Sequence, residues 1–597
     1  MNISHFQSDL PDMEFNLFTL FNLENLLDKM PELGMDKETV ISLLNEVNRL
    51  ADEDLAKTFS DKSFAAPYFD TESKNVVLDP ALKNSFEKYL AGGWNELGIA
   101  KELGGTPVPQ LLQWSINEIL VGANPALFLY ITMMSFANLL VVEGNAKQRT
   151  WAKLMFENKW CATMMLTEAD AGSDVGAGRT KATLRDDGSW SLTGSKRFIT
   201  SGEHDLSDNI MHFVLARPEG AKLGTKGLSL FVVPKFHILE DGSLGARNGI
   251  YASSLEHKMG IKYSATCEMQ LGEKEECIGY LLGDKHDGIK QMFKIIENAR
   301  MMVGVKAIAT LSTAYLGALK YAKERVQGFQ ITDTNRTLGQ VAIIEHLQVK
   351  QDLALLKVMS EGLRSLIMFT ASVQDEIILN PADTALHSLN DFLLPVLKGY
   401  GSETAYRLIG EKALSIYGGS GYTSDWPLEQ YLRDAKIDTL YEGTTNIQAN
   451  DLFFRKIIKD QGVGLYALLS RFKDRNSYPL EISHEVEIFK DSCLAYQNVV
   501  EHMVGLTMES VTNPALLNLL TTKTNKLLNF TGELLLGWLV IESYAVASEQ
   551  KLSVELIASK LLNVKTFQRE VLAKYVTEIN LLSKDDDYSS FLENFSF

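Results

Sequence analysis

The sequence changes its periodicity once and then changes it back, and this interruption limits the folds open to the chain more than any other feature. Through Lys159, and again from Gly288 onward, apolar residues recur at helical spacing. Between Trp160 and about Asp287 that pattern gives way to short runs rich in β-branched and aromatic residues, separated by Gly and Asp turns. Lys181–Leu184, the turn Asp186-Asp187-Gly188 and residues 190–193 read as a hairpin, and residues 212–216 and 228–233 as further strands. A β domain is therefore expected between helical blocks. Proline numbers only 14 in 597 residues, which suits long uninterrupted helices.

The resulting expectation is a mainly α chain with an inserted β domain, divided at 1–75, 76–160, 161–287, 288–456 and 457–597. The first segment is a helical extension, with Leu17, Leu20, Phe21, Leu23 and Leu26 at near-helical spacing. Long helices are expected at 292–325 and 343–373. Residues 461–597 carry 12 Lys and Arg against 17 Asp and Glu, with apolar faces at 516–520, 534–540 and 552–562. They read as an additional acidic helical bundle that packs within the chain or at a dimer interface.

Net charge narrows the partners. At −18, the chain lacks the basic footprint that nucleic acid or an anionic membrane demands. Its first 20 residues include Asp9, Asp12 and Glu14 and resemble no secretory signal, so a cytoplasmic location is expected. The uncharged run from Glu118 to Glu143 is long enough to cross a bilayer, but Asn124, Pro125, Thr132, Ser135 and Asn138 favour a turn and a buried helix. Cys161, Cys267, Cys277 and Cys493 form no CxxC pair, in keeping with a reducing compartment.

Several chemistries lack their local signal. There is no GxGxxG, GxxxxGK[ST], HExxH or GxSxG, and no Cys/His cluster at zinc spacing, so no metal is expected. Three segments stand out instead. Leu166-Thr167-Glu168-Ala169-Asp170-Ala171-Gly172-Ser173-Asp174 combines small residues with hydroxyls suited to a flat ring and a diphosphate, although a plain ST-turn would look the same. Gly194-Ser195-Lys196-Arg197-Phe198-Ile199-Thr200-Ser201-Gly202 would set Phe198 and Thr200 on one face of a strand, or is simply one more strand of the β domain. Tyr417-Gly418-Gly419-Ser420-Gly421-Tyr422 precedes Arg433-Asp434-Ala435 and Tyr441-Glu442-Gly443-Thr444-Thr445-Asn446-Ile447-Gln448, where Thr445 and Gln448 also fit a capping box.

Taken in order, with His257-Lys258-Met259-Gly260 between the second and third, these motifs resemble the acyl-CoA dehydrogenase family over residues 80–455. The extra residues at both ends resemble its long bacterial branch, which includes 3-methylmercaptopropionyl-CoA dehydrogenases. The resemblance implies a helical domain, a β-barrel and a four-helix domain, with FAD and an acyl-CoA thioester between the last two. It implies that Glu442 is the general base for the α-proton, that flavin N5 accepts the β-hydride, and that the Glu442 backbone N–H with a flavin ribityl hydroxyl polarises the thioester. By the same resemblance Thr167, Gly172, Ser173, Phe198, Thr200, Arg325, Gly418, Gly419 and Thr444 contact FAD, with Arg325 and the glycine loop reaching a partner's cofactor. Ser173, Glu297, Arg300 and Gly443 contact the acyl-CoA. Electron-transfer flavoprotein is the implied acceptor, and a homodimer or dimer of dimers the implied assembly.

Residues alone leave blander accounts: Arg325 as a helix-end cation, Glu297 and Arg300 as i,i+3 neighbours. Phe198 replaces a usual Trp of the family, Ser415 a frequent Gln, Gln430 a frequent basic residue, and Met165 a small one. Phe128-Leu129-Tyr130-Ile131-Thr132-Met133-Met134 is a candidate acyl-pocket wall or plain core. An acyl-CoA oxidase, or a non-catalytic, nucleic-acid-associated relative, stands as the alternative function.

Overall fold

A computed structural model describes residues 5–337, 339–584 and 588–596. The chain divides into two compact units that interleave along the sequence: residues 1–6, 45–108 and 119–299 form one, and residues 7–44, 109–118 and 300–597 the other. The N-terminal extension thus splits between the units, and the last 140-odd residues share a unit with the four-helix region rather than forming one of their own.

The first unit carries the β domain. Strands Trp190–Thr200, Cys277–Leu281, Ser229–Pro234, Ile210–Pro218 and Lys181–Leu184 close a ring, because Lys181–Leu184 pairs antiparallel with Trp190–Thr200 and parallel with Ile210–Pro218. Ile250–Leu255 and Thr266–Leu271 extend the sheet beyond Trp190–Thr200, and Cys161–Met165 extends it beyond Ile210–Pro218. Residues 190–193 and 194–202 do not form separate strands. One strand of 11 residues runs through Gly194, where a Cβ would lie 2.6 Å from the Thr180 hydroxyl, so glycine permits close backbone approach rather than ending the strand.

The core of this unit joins helical faces, through Leu140, Trp151, Ala152 and Met155, to the barrel residues Ala162, Met211, Phe213 and Val232. Two asparagines set the helix starts. Asn145 and Gln148 complete a reciprocal capping box at helix Ala146–Glu157, and Asn124 accepts from the Leu127 N–H to start helix Pro125–Ile131. Pro125–Glu143, Gly288–Glu324 and Ala515–Glu549 are long and apolar enough to cross a membrane by length and composition, and most of each is buried inside the protein.

The second unit is built on helices Leu347–Leu379, Thr384–Pro395, Ser483–Glu509, Ala515–Glu549 and Val554–Glu570. Its centre is ionic. Arg364, fully buried, donates to Asp12 at 2.7 Å, to Glu118 at 2.8 and 2.9 Å and to the Ser312 hydroxyl at 2.7 Å. Lys560 donates to the other Asp12 oxygen at 2.7 Å and to Glu361 at 2.8 Å, where Asn563 also donates at 2.8 Å. Every charge here has an opposite partner and hydrogen bonds, the condition under which burial is tolerated. The network ties the N-terminal segment to the last long helix pair.

Helix Ala515–Glu549 closes against the same frame. A Cβ on Gly532 would fall 2.2 Å from the Tyr400 ring, Gly362 faces Leu536 and Val540, and the Phe369 and Trp538 rings meet edge to face at 5.0 Å. The C-terminal helical extension thus packs within the second unit, held by glycine-mediated approach that hydrophobic periodicity does not encode.

Burial alone would raise the Asp12 carboxyl, but Lys560 and Arg364 hold it down at about 2. Its stabilising contribution is complete above the unfolded value of about 3.9 and disappears as pH falls through about 2. Lys560→Met leaves Asp12 and Glu361 buried without this cation and is expected to lower stability by about 3–5 kcal/mol. Urea unfolding at neutral pH measures this, and the deficit should shrink toward pH 2.

Candidate active site

In the first unit the structure brings three motifs together on one edge of the barrel. The Arg197 N–H donates to the Thr167 carbonyl at 2.9 Å, and Lys196 Nζ donates to the Leu166 carbonyl at 2.9 Å and to Glu168 at 2.8 Å. Glu168 also accepts from the Arg179 and Thr180 N–H groups and the Thr180 hydroxyl, at 2.6, 3.1 and 2.6 Å. Burial pushes the Glu168 carboxyl up, but Lys196 and these donors hold it below the usual range. Glu168 thus works inward, pinning a loop whose other side leaves Gly172 and Ser173 exposed and Thr167 half-buried.

Phe198 lies at a bulge, where the pairing of Trp190–Thr200 with Thr266–Leu271 shifts register. It adopts φ +60° and is 55% exposed, with the Arg197 guanidinium 4.8 Å from its ring centre. A bulky residue with positive φ is strained, and such strain concentrates at functional sites. Simple alternation would not predict this outward turn, although buried Ile199 still leaves Phe198 and Thr200 on the outward side. Thr200 pairs with Thr266, whose hydroxyl accepts from Lys258 at 2.9 Å, so the His257–Gly260 motif adjoins the same strand.

Glu297 lies in this unit too. It lines a groove of about 490 Å³ with Thr225, Lys226, His286, Lys290 and Lys294.

In the second unit Glu442 occupies a turn between the 3₁₀ segment Ile437–Thr439 and helix Thr445–Asn450. Glu442 and Gly443 are both left-handed, at φ +56° and +91°. Gln448 Nε2 donates to the Glu442 carbonyl at 2.8 Å, and buried Lys398 donates to the Gly443 carbonyl at 2.5 Å. The capping box is not formed: Thr444 is the N-cap, Gln448 turns back to the carbonyls, and the Thr445 hydroxyl donates to Glu403 at 2.7 Å. Burial raises the Glu442 carboxyl above the usual carboxylate range, while Arg300 and Lys398 pull it down.

Arg300 differs from the exposed contact a CoA phosphate would suggest. It is buried and its Nη1 donates to Asp451 at 2.7 Å, while its Nε has no hydrogen-bond partner among the described residues. Its charge bears on Glu442. Arg325 is exposed just beyond helix Gly288–Glu324 and donates to Gln327 at 3.1 Å. Tyr321, on that helix, stacks on Tyr417 at 4.3 Å, beside the exposed Gly418 (φ +60°) and Gly419. Buried Gln430 donates to Asp434 at 3.3 Å, Ser415 is exposed, and Met165 is fully buried.

Comparison with known proteins sets this geometry in context. The family model described as the acyl-CoA dehydrogenase middle domain matches residues 163–273, and that of the C-terminal domain matches residues 286–455. A broad-specificity linear acyl-CoA dehydrogenase, FadE5 of Mycobacterium tuberculosis, is 44% identical over 556 residues, covering 91% of each chain. The chain belongs to the acyl-CoA dehydrogenase family. As a member it is an oxidoreductase of the FAD-dependent acyl-CoA dehydrogenase type. The 3-methylmercaptopropionyl-CoA dehydrogenase of Ruegeria pomeroyi is 32% identical, covering 86% of this chain and 88% of its own. In fold, the chain matches an acyl-CoA dehydrogenase complexed with FAD from Bacillus anthracis, with TM-score 0.72, 18% identity, and 94% and 90% of the two chains covered.

Motif reading within this family missed Lys398, the Lys306–Asp438 pair and the inward role of Gln448. Lys306 is fully buried and reaches both Asp438 oxygens, at 2.7 and 2.9 Å, and the Tyr441 hydroxyl donates to the same carboxylate at 2.9 Å. The available signal was a lone cation inside an apolar run, Leu393-Leu394-Pro395-Val396-Leu397-Lys398.

Lys196→Met would leave Glu168 without its cation. It is expected to cost about 2–4 kcal/mol in thermal unfolding and to lower the flavin-to-protein absorbance ratio of the purified enzyme.

Proposed function

We propose that this protein catalyses the α,β-dehydrogenation of an acyl-CoA thioester to the trans-2-enoyl-CoA, with Glu442 as the general base. The observation that carries this reading is the Glu442 turn: a carboxyl raised by burial, at a left-handed position, with both flanking carbonyls held by side chains. A saturated Cα–Cβ bond is unactivated, so removal of the α-proton needs a base whose affinity for protons has been raised. The Glu442 carboxylate takes that proton. Its backbone N–H is the donor proposed for the thioester oxygen, where charge develops as the proton leaves.

The residues of the first unit suit a flavin. Gly172 leaves open space where a Cβ would project, Ser173 and Thr167 offer hydroxyls beside it, and Phe198 presents an exposed ring next to Thr200. FAD, when bound, supplies the acceptor for the hydride leaving Cβ. Thr167, Gly172, Ser173, Phe198 and Thr200 are the residues proposed to hold it. Thr444 follows the base and is the proposed cofactor contact in the second unit. Arg325, Gly418 and Gly419 are exposed, in keeping with a proposed contact to the cofactor of a second copy in a homodimer or dimer of dimers.

For the substrate, the groove lined by Lys226, His286, Lys290 and Lys294 offers the exposed cations Lys226 and Lys290 for CoA phosphates, with Glu297 as a polar partner, while Lys294 pairs with Glu143. Ser173 and Gly443 are the proposed contacts nearer the thioester, and Arg300 acts on the Glu442 charge. Linear acyl-CoAs are the favoured substrate class, following the name of the M. tuberculosis relative, and electron-transfer flavoprotein is the proposed acceptor in the cytoplasm.

Purified protein should be yellow and bleach anaerobically on addition of a linear acyl-CoA. Glu442→Gln should retain flavin but lose turnover by about 10³-fold or more, read with an artificial acceptor over a graded acyl-CoA series. Normal turnover by that variant would refute the base, and peroxide formation without an added acceptor would point to an oxidase.

A further inference from the structure

We propose that Lys398 is a positioning residue for the reaction: its buried ammonium fixes the Gly443 carbonyl, so holding the strained turn that aims Glu442, and its charge favours the ionised form of that carboxylate. This rests on Glu442 being the base. Lys398 lies in the π-helical segment Val396–Gly401. That segment is braced from behind by helix Ala515–Glu549: a Cβ on Gly399 would lie 2.8 Å from Leu528 and 3.1 Å from Gln448, and Gly532 lies against Tyr400. Helix Ala515–Glu549 also reaches helix Thr445–Asn450, where the Thr524 hydroxyl donates to Asn450 at 2.8 Å. Lys398 is thereby delivered to the turn by a rigid element.

The charges facing Lys398 are otherwise committed. Asp438 is held by Lys306 and Tyr441, Arg300 pairs with Asp451, and Glu403 accepts from Thr445. Among the described residues the hydrogen bond of the Lys398 ammonium goes to the Gly443 carbonyl, and no carboxylate lies within hydrogen-bond reach. Burying an ammonium against one carbonyl is costly, and an apolar side chain of similar volume would fill the space without that cost. What an apolar residue could not do is donate to the carbonyl or lower the energy of the neighbouring Glu442 anion. Burial pulls Lys398 down to about 8, against the opposing pull of Asp438 and Glu442, so its charge is present through neutral pH.

The test uses the flavin-loaded enzyme, with octanoyl-CoA as substrate and ferrocenium as acceptor. Lys398→Met removes donor and charge, Lys398→Gln keeps a donor without charge, and Lys398→Arg keeps both. Lys398→Met should lower kcat by about 10–100-fold and move the acidic limb of the kcat–pH profile upward by about 0.5–1 unit, because Glu442 has lost a neighbouring cation. Lys398→Gln should show the same limb shift with a smaller loss of kcat, and Lys398→Arg should restore the limb. Should Lys398→Met not fold, the Gln and Arg profiles decide alone. An unmoved limb in Lys398→Gln, or a rate loss in which Arg is no better than Gln, overturns the proposal. Glu442→Gln in the same assay separates the two claims: if it is inactive, failure at Lys398 leaves the base standing, and if it is active, the base itself is wrong.

Discussion

Arg364 is the constraint around which the second unit is arranged. A guanidinium wholly removed from water must be met by carboxylates on several sides, and here they come from Asp12 near the N-terminus and Glu118 at the end of a segment belonging to the first half of the chain. Asp12 in turn requires Lys560, and Lys560 requires Glu361. Each member is tolerable only because the next is present, so the network demands that four distant stretches of sequence arrive together. This ties residues near both ends of the chain into the second unit. Isolating either would strand a buried charge.

The same reasoning applies on a smaller scale to the Glu442 turn. In its proposed role as base, Glu442 needs a raised proton affinity, yet must still be ionised when substrate arrives. Burial supplies the first and the cations Arg300 and Lys398 supply the second, so the group is balanced between opposing effects rather than driven to an extreme. The left-handed backbone at Glu442 costs conformational energy, and the donors Lys398 and Gln448, which hold the Gly443 and Glu442 carbonyls, offset it. Helix Ala515–Glu549, packed against the segment bearing Lys398, brings the C-terminal addition into the support of the site.

What could be read from the sequence follows from which physical signals are local. The switch to short β-branched runs at Trp160 and the return of helical spacing at Gly288 marked the β domain, because side-chain periodicity is set by the local backbone. The four motifs marked the family, because each is a short contiguous run of residue types whose order and spacing can be read locally. Long-range dependence was not legible. Nothing near Asp12 in the sequence announces Arg364, and Gly532 reads as an ordinary helix interruption until Tyr400 is seen against it. Thr445 with Gln448 satisfied a local capping rule, yet Gln448 bonds to the Glu442 carbonyl, since a buried carbonyl outweighs an N-terminal donor that water can satisfy.

The net charge of −18 sets a final problem, because FAD and CoA are themselves anionic. Long-range attraction does not bring them to such a chain; short-range cations within about a Debye length must do so. Arg300 cannot serve as that exposed cation, since its guanidinium is buried against Asp451. The groove bearing Lys226 and Lys290 is the proposed place for it, because both lysines are exposed there, whereas Lys294 beside them is paired with Glu143. An acidic whole with a local cationic patch disfavours polyanions such as nucleic acid more than a small ligand whose few charges fit inside that patch.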